Sequence, residues 1–279
     1  MSNASADPVP SIREADASGE IAELYSDIRA TLGVPVVNLI WRHLATFPGG
    51  LGWAWEALKP LYANGAIMTE AAALRDGLDI PTLPGLTAPA LSAAGLSASD
   101  LKRIDMILAS YERSNAMNMI ALAALLTGLE ETAAPLEPAG TVAAEDEGVA
   151  GETPPLLTLD EMDDDVRALV EALNAIGARA EILASMYRHL ANWPPYLGMI
   201  SALITPFAAE GRLEPVILYV IAEGRRRAEH LAGALAAPER SLEPSVRKDM
   251  RAALNQFIDG PIGKMIAVVP LIKQAMPPS

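Results

Sequence analysis

Apolar residues along this chain recur every three to four positions, the spacing that places them on one face of an α-helix. In the segment 19–32, Ile21, Leu24 and Ile28 share a face, and Gly33 follows as a helix-ending residue. The alternation of apolar and polar residues that marks half-buried strands is absent, so the sequence predicts an all-α protein. Further helices are predicted over 36–46, 49–64, 69–78, 97–111, 113–129, 159–176, 179–192, 195–207, 213–236, 243–258 and 261–275.

The helical pattern occurs twice. Residues 34–60 and 180–206 align without gaps at an offset of 146, with eight identities in 27 positions. The identities include two prolines, one glycine and the tetrapeptide RHLA, which begins at Arg42 and again at Arg188. A repeat of fixed period indicates the architecture of a protein, independently of its other sequence features. Two tandem helical repeats therefore predict an intrachain pseudo-dimer.

Composition divides the chain into four segments. A leader at 1–18 precedes helical repeat 1 at 19–129, and a linker at 130–157 precedes helical repeat 2 at 158–279. The linker is acidic and rich in Pro, Ala and Gly, a composition that favours a mobile connection. We expect the leader to be loose as well.

The net charge of −14 is concentrated in one region. Twelve acidic residues and no Lys or Arg fall between Glu130 and Asp165, so the rest of the chain carries a net charge of only −2. This acidity disfavours nucleic acid as a partner but identifies no substrate. Cysteine is absent, which excludes disulfides, thiolate metal sites and cysteine nucleophiles. We expect no bound metal.

No segment has the features of a targeting signal or a membrane span. The N-terminus lacks a basic flank and an apolar run. The most apolar stretch, 116–129, carries Asn118 and is too short to cross a bilayer. The sequence therefore predicts a soluble cytoplasmic protein with no membrane partner.

Candidate chemistry lies in a few polar residues, because motifs for nucleotide binding, serine hydrolysis and metalloproteases are missing. Both copies keep RHLA, so a structural role is its economical interpretation. Asn115 and Asn118 lie on one face of an apolar predicted helix, and Asn38 and Ser185 are isolated polar residues in the duplicated helices. Buried amides bond between helices or line a polar pocket, and both alternatives stay open. A pocket between the repeats, lined by these four residues, would suit a small ligand.

Three stretches carry a family resemblance over nearly the whole chain. They are SGEIAELYSDIRATLGVPVV at 18–37, HLATFPGGLGWAW at 43–55 and LANWP at 190–194. Together with the acidic connector, they resemble the group I (DehI-type, D,L-) 2-haloacid dehalogenases. The resemblance implies a helical pseudo-dimer that forms a homodimer, with its active site between the repeats. It also implies hydrolysis of both enantiomers of a 2-haloalkanoic acid with inversion, by direct attack of a water that an aspartate activates, and without a cofactor.

The resemblance places the catalytic residues of that family at identifiable positions. The family's catalytic aspartate follows a serine and lies four residues before the leucine of LANWP; here the serine is Ser185 and the aspartate position is Met186. A thioether cannot accept the proton that the attacking water loses, and general-base catalysis is commonly worth about 10²–10⁴-fold. The family's active-site asparagine corresponds to Asn115.

The family's aromatic pocket residues are also replaced. Its tyrosine corresponds to Asn118, and its tryptophan and phenylalanine correspond to Val36 and Leu39. The pocket so defined would fit a larger or differently shaped small organic acid. The candidate substrate-binding residues are Val36, Leu39, Asn118, Ser185 and Asn38.

Other acids are poor substitutes for the missing base. Glu181 lies five residues before Met186, which is well off the pocket face of a regular helix, whereas Glu112 lies three before Asn115, a spacing that is tolerable. Three hypotheses follow: a hydrolase with altered chemistry, a relative that binds a small acid without hydrolysis, and a helical scaffold. A carboxylate in the pocket would favour the first, whereas a pocket of Met186, apolar residues and amides would favour the second.

Overall fold

The computed structural model describes residues 9–129 and 148–277 of the chain. These residues form helices and loops without a β-strand, which confirms the all-α prediction. The helices are α1 Gly19–Leu32, α2 Leu39–Leu44, α3 Gly50–Ala63, α4 Ala66–Asp76, α5 Ala88–Ala93, α6 Ala98–Leu129, α7 Asp164–Ala175, α8 Ser185–Leu190, α9 Pro194–Ala209, α10 Glu214–Ala232, α11 Pro244–Phe257 and α12 Gly263–Gln274. Short 3₁₀ turns occur at Glu14–Asp16, Leu159–Glu161 and Ile176–Ala178, and a π-helical turn, Ile258–Ile262, joins α11 to α12.

Helix α6 is the centre of the fold, and α4, α10 and α12 pack along it. Every residue from Ser114 to Leu126 is buried, as expected for a helix that is apolar on all sides. The prediction of two helices, 97–111 and 113–129, is wrong, because α6 is continuous. The polar residues at the expected break have tertiary partners: Glu112 accepts a hydrogen bond from Lys273 Nζ at 2.5 Å, and Arg113 contacts the end of α1.

Helix α8 is much shorter than the predicted helix 179–192. Side chains satisfy the backbone ahead of it, so no helical hydrogen bonds form there. Asn174 Oδ1 accepts from the Ala184 N–H at 3.1 Å, and its Nδ2 donates to the Ile182 carbonyl at 3.3 Å. The buried Lys264 ammonium fixes this asparagine by donating to the Asn174 carbonyl at 2.6 Å.

Helix α2 is likewise shorter than the predicted 36–46. Val37 donates its N–H to Glu14 Oε1 at 2.8 Å, and its carbonyl accepts from Arg42 Nε at 3.2 Å. Asn38 is extended, with ψ at 151°, and the helix starts after it. As before α8, backbone groups ahead of the helix bond to side chains, and these bonds take the place of the hydrogen bonds of a helical turn.

The other predicted helices are present with shifted ends. Predicted helix 159–176 is divided into the turn Leu159–Glu161, which Thr158 and Glu161 start with a capping box, and α7, because the backbone at Met162 and Asp163 is extended. Helix α5 lies in a stretch predicted as a loop. Thr87 caps it by accepting from the Ala90 N–H at 3.3 Å.

The described parts of the leader and the linker pack against the helices. Ile12 donates its N–H to the Arg42 carbonyl at 3.1 Å, and Val149 donates to the Gly33 carbonyl at 2.8 Å. These segments are anchored, contrary to the expectation of a loose leader and a mobile linker. For the rest of the leader, 1–8, and of the linker, 130–147, the expectation concerns residues outside the described part of the chain.

Two apolar cores are formed, and each draws on both halves of the chain. The first joins α1–α4 and the C-terminal part of α6 to α11; the second joins α7–α9 to the N-terminal part of α6. The loops and turns between these cores position the candidate site. Within the described ranges, no helix combines the length and apolar character that crossing a bilayer requires.

Candidate functional site

A small pocket lies where α2, α6 and α8 meet, with a cavity volume of about 40 Å³. Since a water molecule needs about 10–15 Å³ measured in this way, the pocket has room for a few water-sized groups. We call it the amide pocket. Its lining includes these predicted site residues: Asn38, Leu39, Asn115, Asn118, Ser185 and Met186.

Two amides in this pocket have unsatisfied atoms. Asn118 Oδ1 accepts from Trp41 Nε1 at 3.0 Å, and because an indole N–H only donates, this bond fixes the orientation of the amide. Asn118 Nδ2 is then buried without a hydrogen-bond partner among the described residues. Asn38 Nδ2 donates to Ser114 Oγ at 3.0 Å, and Asn38 Oδ1 is similarly left without a partner there. Two residues of the lining therefore each carry one buried polar atom without a hydrogen-bond partner among the described residues.

The remaining predicted residues have distinct environments. Asn115 Nδ2 donates to the Tyr111 carbonyl at 2.8 Å within α6. Ser185 Oγ accepts from Arg42 Nη2 at 3.3 Å, and the neighbouring Met186 is fully buried in the pocket wall. Val36 does not line this pocket; it lies in the second cavity described below.

The lining of the amide pocket contains no carboxylate among the described residues. Glu112 is outside the lining and forms an ion pair with Lys273. Glu181 is exposed and precedes α8 on non-helical backbone, so it does not share a helix with Met186 as predicted. Among all residues that the structure describes, no group of three His, Asp or Glu side chains is arranged to bind a metal ion.

A larger cavity of about 490 Å³ adjoins the amide pocket, and Tyr111 lines both. We call it the arginine cavity, because Arg13, Arg42 and Arg188 line it. Sequence reasoning missed this cavity. The available signal was the duplicated RHLA, which supplies two of the arginines.

Tyr111 and His189 form a buried pair between the two cavities. The Tyr111 hydroxyl and His189 Nδ1 are 2.9 Å apart. Burial lowers the pKa of His189 to about 3, with further contributions from the positive charges of Arg188 and Arg42. Burial also raises the pKa of Tyr111. Near neutral pH the imidazole is therefore neutral and is a weak base.

Comparison with known proteins gives related sequences but no family model, since none matches this chain. The chain is 29% identical over 241 residues to a configuration-inverting 2-haloacid dehalogenase of Alcaligenes xylosoxydans xylosoxydans, covering 80% of this chain and 78% of that protein. It is 40% identical over 55 residues to an (R)-2-haloacid dehalogenase of Pseudomonas putida, covering 19% of this chain and 18% of that protein.

Solved structures share the fold. A D-2-haloacid dehalogenase mutant matches with a TM-score of 0.76 at 16% identity, covering 95% of this chain and 96% of that one. A mutant of a D-2-haloacid dehalogenase in complex with D-2-CPA matches with a TM-score of 0.71 at 16% identity, covering 96% and 94%. At this identity the likeness shows the fold alone.

Proposed function

We propose that this chain, which is similar to 2-haloacid dehalogenases in sequence and fold, binds a small 2-halogenated carboxylic acid in the amide pocket and hydrolyses it. Water would attack the halogen-bearing carbon, so that a C–O bond forms, the C–halogen bond breaks and halide leaves, while the attacking water loses one proton to bulk solvent and the product is a 2-hydroxy acid. The observation that carries the proposal is that two residues of the pocket lining each have a buried amide atom, Asn118 Nδ2 and Asn38 Oδ1, without a hydrogen-bond partner among the described residues.

Each amide atom suits one part of this reaction. Asn118 Nδ2 donates a hydrogen bond, which fits the acid's carboxylate or the departing halide. Asn38 Oδ1 accepts a hydrogen bond, which would orient the attacking water. The bonds from Trp41 and to Ser114 hold the two amides in place before the ligand arrives.

A second function is also supported, namely binding of such an acid without turnover. Met186 occupies the aspartate position of the family that the sequence resembles, and no described Asp or Glu lines the pocket. Without a strong base the attacking water keeps its proton, which slows hydrolysis. We therefore propose slow hydrolysis first and binding alone as the alternative.

Finer properties of the resembled family are part of the same proposal. They comprise the group I (DehI-type) character with activity on both enantiomers, two repeats forming a pseudo-dimer, a homodimer in solution, no cofactor and a cytoplasmic location. The relatives named above are configuration-inverting, (R)-specific or D-specific by description. Assays with each enantiomer separately would decide the stereochemical part.

Halide release from racemic 2-chloropropionate tests the function directly. We expect slow release from the wild type and a rate about 10²–10⁴-fold higher from Met186→Asp, because the carboxylate supplies the missing general base. Met186→Asn is the matched control, since it has the shape of aspartate without its basicity. It should stay near the wild-type rate.

The outcomes separate the two functions. Release by Met186→Asp alone, with the wild type at the background rate, would reject wild-type turnover, and binding of the acid to the wild type in calorimetry would then establish the binding function. If neither protein releases halide and neither binds the acid, both proposals fail. Equal rates for Met186→Asp and Met186→Asn would show that the base lies elsewhere.

A further inference from the structure

Lys264, at the start of α12, is a buried cation beside a residue of the amide pocket. Its side chain is fully buried, and it corresponds to Asn118 at the offset of 146. The next residue, Met265, lines the pocket, whereas Lys264 is not in the lining. One repeat position thus carries an amide inside the lining in the first half and an ammonium outside it in the second.

The ammonium bonds to carbonyl oxygens and not to a carboxylate. Lys264 Nζ donates to the Asn174 carbonyl at 2.6 Å and to the Arg179 carbonyl at 2.7 Å. The side-chain oxygen of Asn174 is a longer third contact at 3.5 Å. A buried ammonium is costly unless such acceptors replace its hydration. The lysine therefore ties the end of α7 to the loop that follows it.

Asn174 extends this network to residues 180–184, which we call the wall segment. Its Nδ2 donates to the Ala180 carbonyl at 3.1 Å and to the Ile182 carbonyl at 3.3 Å. Its Oδ1 accepts from the Ala184 N–H at 3.1 Å. The wall segment is non-helical, so these side-chain bonds hold its backbone.

The wall segment forms part of the amide pocket. Ile182, Leu183 and Ala184 all line the pocket, and Ser185 and Met186 continue the lining into α8. A displacement of the wall segment would therefore change the shape of the pocket and the place where α8 starts.

The turn between α7 and the wall segment permits this arrangement. Gly177 has a φ of 77°, in the left-handed region that favours glycine. A β-carbon there would lie 3.6 Å from Lys264 Cδ and 2.8 Å from Ile217 Cδ1. The chain can thus reverse direction close to the aliphatic part of the lysine.

We propose that Lys264 is a positioning residue of the amide pocket, because its ammonium fixes Asn174 and thereby the wall segment. An apolar side chain would fill the same space but would give neither carbonyl a donor. The positioning of the wall segment stands without the proposed function, whereas its effect on an acid in the pocket rests on that function.

The strength of the network depends on the charge of the ammonium. Burial lowers the pKa of Lys264 to about 8, while Glu181 opposes this shift and Arg179 adds to it. Arg179 is itself paired with Glu214 of α10 and donates to the Asp259 carbonyl of the π-helical turn. Near neutral pH Lys264 is mostly charged. Above its pKa it loses a proton, and its bonds to the carbonyls are no longer charge-assisted.

Exchange of the Ala184 N–H with solvent, followed by NMR, tests the network. We expect Lys264→Met to lower the protection of Ala184 by about tenfold or more, relative to Ala121 in the buried part of α6. Lys273→Met is the matched control, because Lys273 lies on the same helix and pairs with a carboxylate of α6. It should leave the ratio at the wild-type value. An unchanged ratio in Lys264→Met, or an equal fall in Lys273→Met, would overturn the proposal.

The pH profile of the wild type separates positioning from a general loss of packing. Between about pH 7 and about pH 9, the protection of Ala184 relative to Ala121 should fall as the ammonium loses its proton. The ratio in Lys264→Met should not change over this range. A constant ratio in the wild type would overturn the proposal, and this measurement decides if Lys264→Met does not fold.

Calorimetry with 2-chloropropionate connects the network to the pocket. We expect Lys264→Met to bind this acid about tenfold or more weakly than the wild type and Lys273→Met do. Equal affinities for the three proteins would overturn the positioning of the pocket. If the wild type does not bind the acid but Ala184 exchanges as expected, the positioning of the wall segment stands and the proposed function fails.

Discussion

At the scale of residues, the two histidines of the duplicated RHLA meet equivalent rings but have different polar contacts. The His43 ring lies 5.7 Å from that of Phe257, and the His189 ring lies 5.8 Å from that of Tyr111. Phe257 has no hydroxyl, and His43 Nδ1 instead lies 2.6 Å from the Pro10 carbonyl. One motif thus anchors the leader in one half and separates two cavities in the other.

The buried neutral His189 should make the fold sensitive to acid. Its pKa is lowered from 6.5 to about 3, so below 6.5 the unfolded chain binds a proton that the folded chain does not. Folding stability therefore falls as the pH drops through this window. Between about pH 7 and about pH 4.5, the wild type should lose about 2–3 kcal/mol more free energy of unfolding than His189→Gln.

Urea unfolding at the two pH values measures this difference. His230→Gln is the control, because its side chain is 52% exposed, and it should keep the acid sensitivity of the wild type. If His189→Gln loses as much stability in acid as the wild type, the imidazole is not a buried neutral group.

At the scale of elements, α10 and α6 approach closely because Gly224 has no side chain. A β-carbon at Gly224 would lie 2.4 Å from Cγ of the buried Met119. We expect Gly224→Ala to destabilise the protein by about 1–3 kcal/mol through overpacking. The measurement is the midpoint of urea unfolding.

Gly198 in α9 provides the matched comparison. A β-carbon there would meet no heavy atom within 4 Å. Gly198→Ala should therefore stabilise the protein by about 0.5–1 kcal/mol, because alanine loses less conformational entropy in a helix. The two substitutions should have opposite signs, and a gain in stability from both would contradict the close packing of α10 on α6.

Sequence patterns predicted those helices whose ends are set by neighbouring residues. They failed where contacts with side chains distant in sequence set the end of a helix. Periodicity was enough for the helical class and for most helices. The extended segment before α8 is held by Asn174 and Lys264, which are distant from it in sequence. No local pattern contains such contacts.

The candidate site was predictable to a similar extent. Isolated amides in apolar surroundings pointed to the amide pocket, because buried polar groups need partners. Val36 lines the arginine cavity and is not in the lining of the amide pocket. That cavity depends on the leader and the linker, whose packing no periodicity predicts.

At the scale of the whole molecule, the two halves exchange helices between their cores. Leu108 and Tyr111 of the first half pack in the core of α7–α9, whereas Leu254 and Phe257 of the second half pack in the core of α1–α4. These residues correspond at the offset of 146. The exchange supports the proposed pseudo-dimer and leaves neither core complete within one half.

Such interleaved cores should unfold together. We expect one calorimetric transition, with equal van 't Hoff and calorimetric enthalpies. Leu108→Ala and Leu254→Ala should each lower the midpoint of that same transition, with a loss of about 2–5 kcal/mol. Two resolved transitions, each sensitive to only one of the substitutions, would show that the halves are independent units.

The bond between Trp41 and Asn118 also gives the molecule an optical property. Trp41 is fully buried, and its indole N–H donates to the side-chain amide of Asn118, a residue that lines the amide pocket. A ligand on Asn118 Nδ2 polarises that amide and, through it, the indole. If an acid binds there as proposed, we expect its occupancy to change the near-ultraviolet absorbance and the fluorescence of the unlabelled protein, even for acids that undergo no reaction.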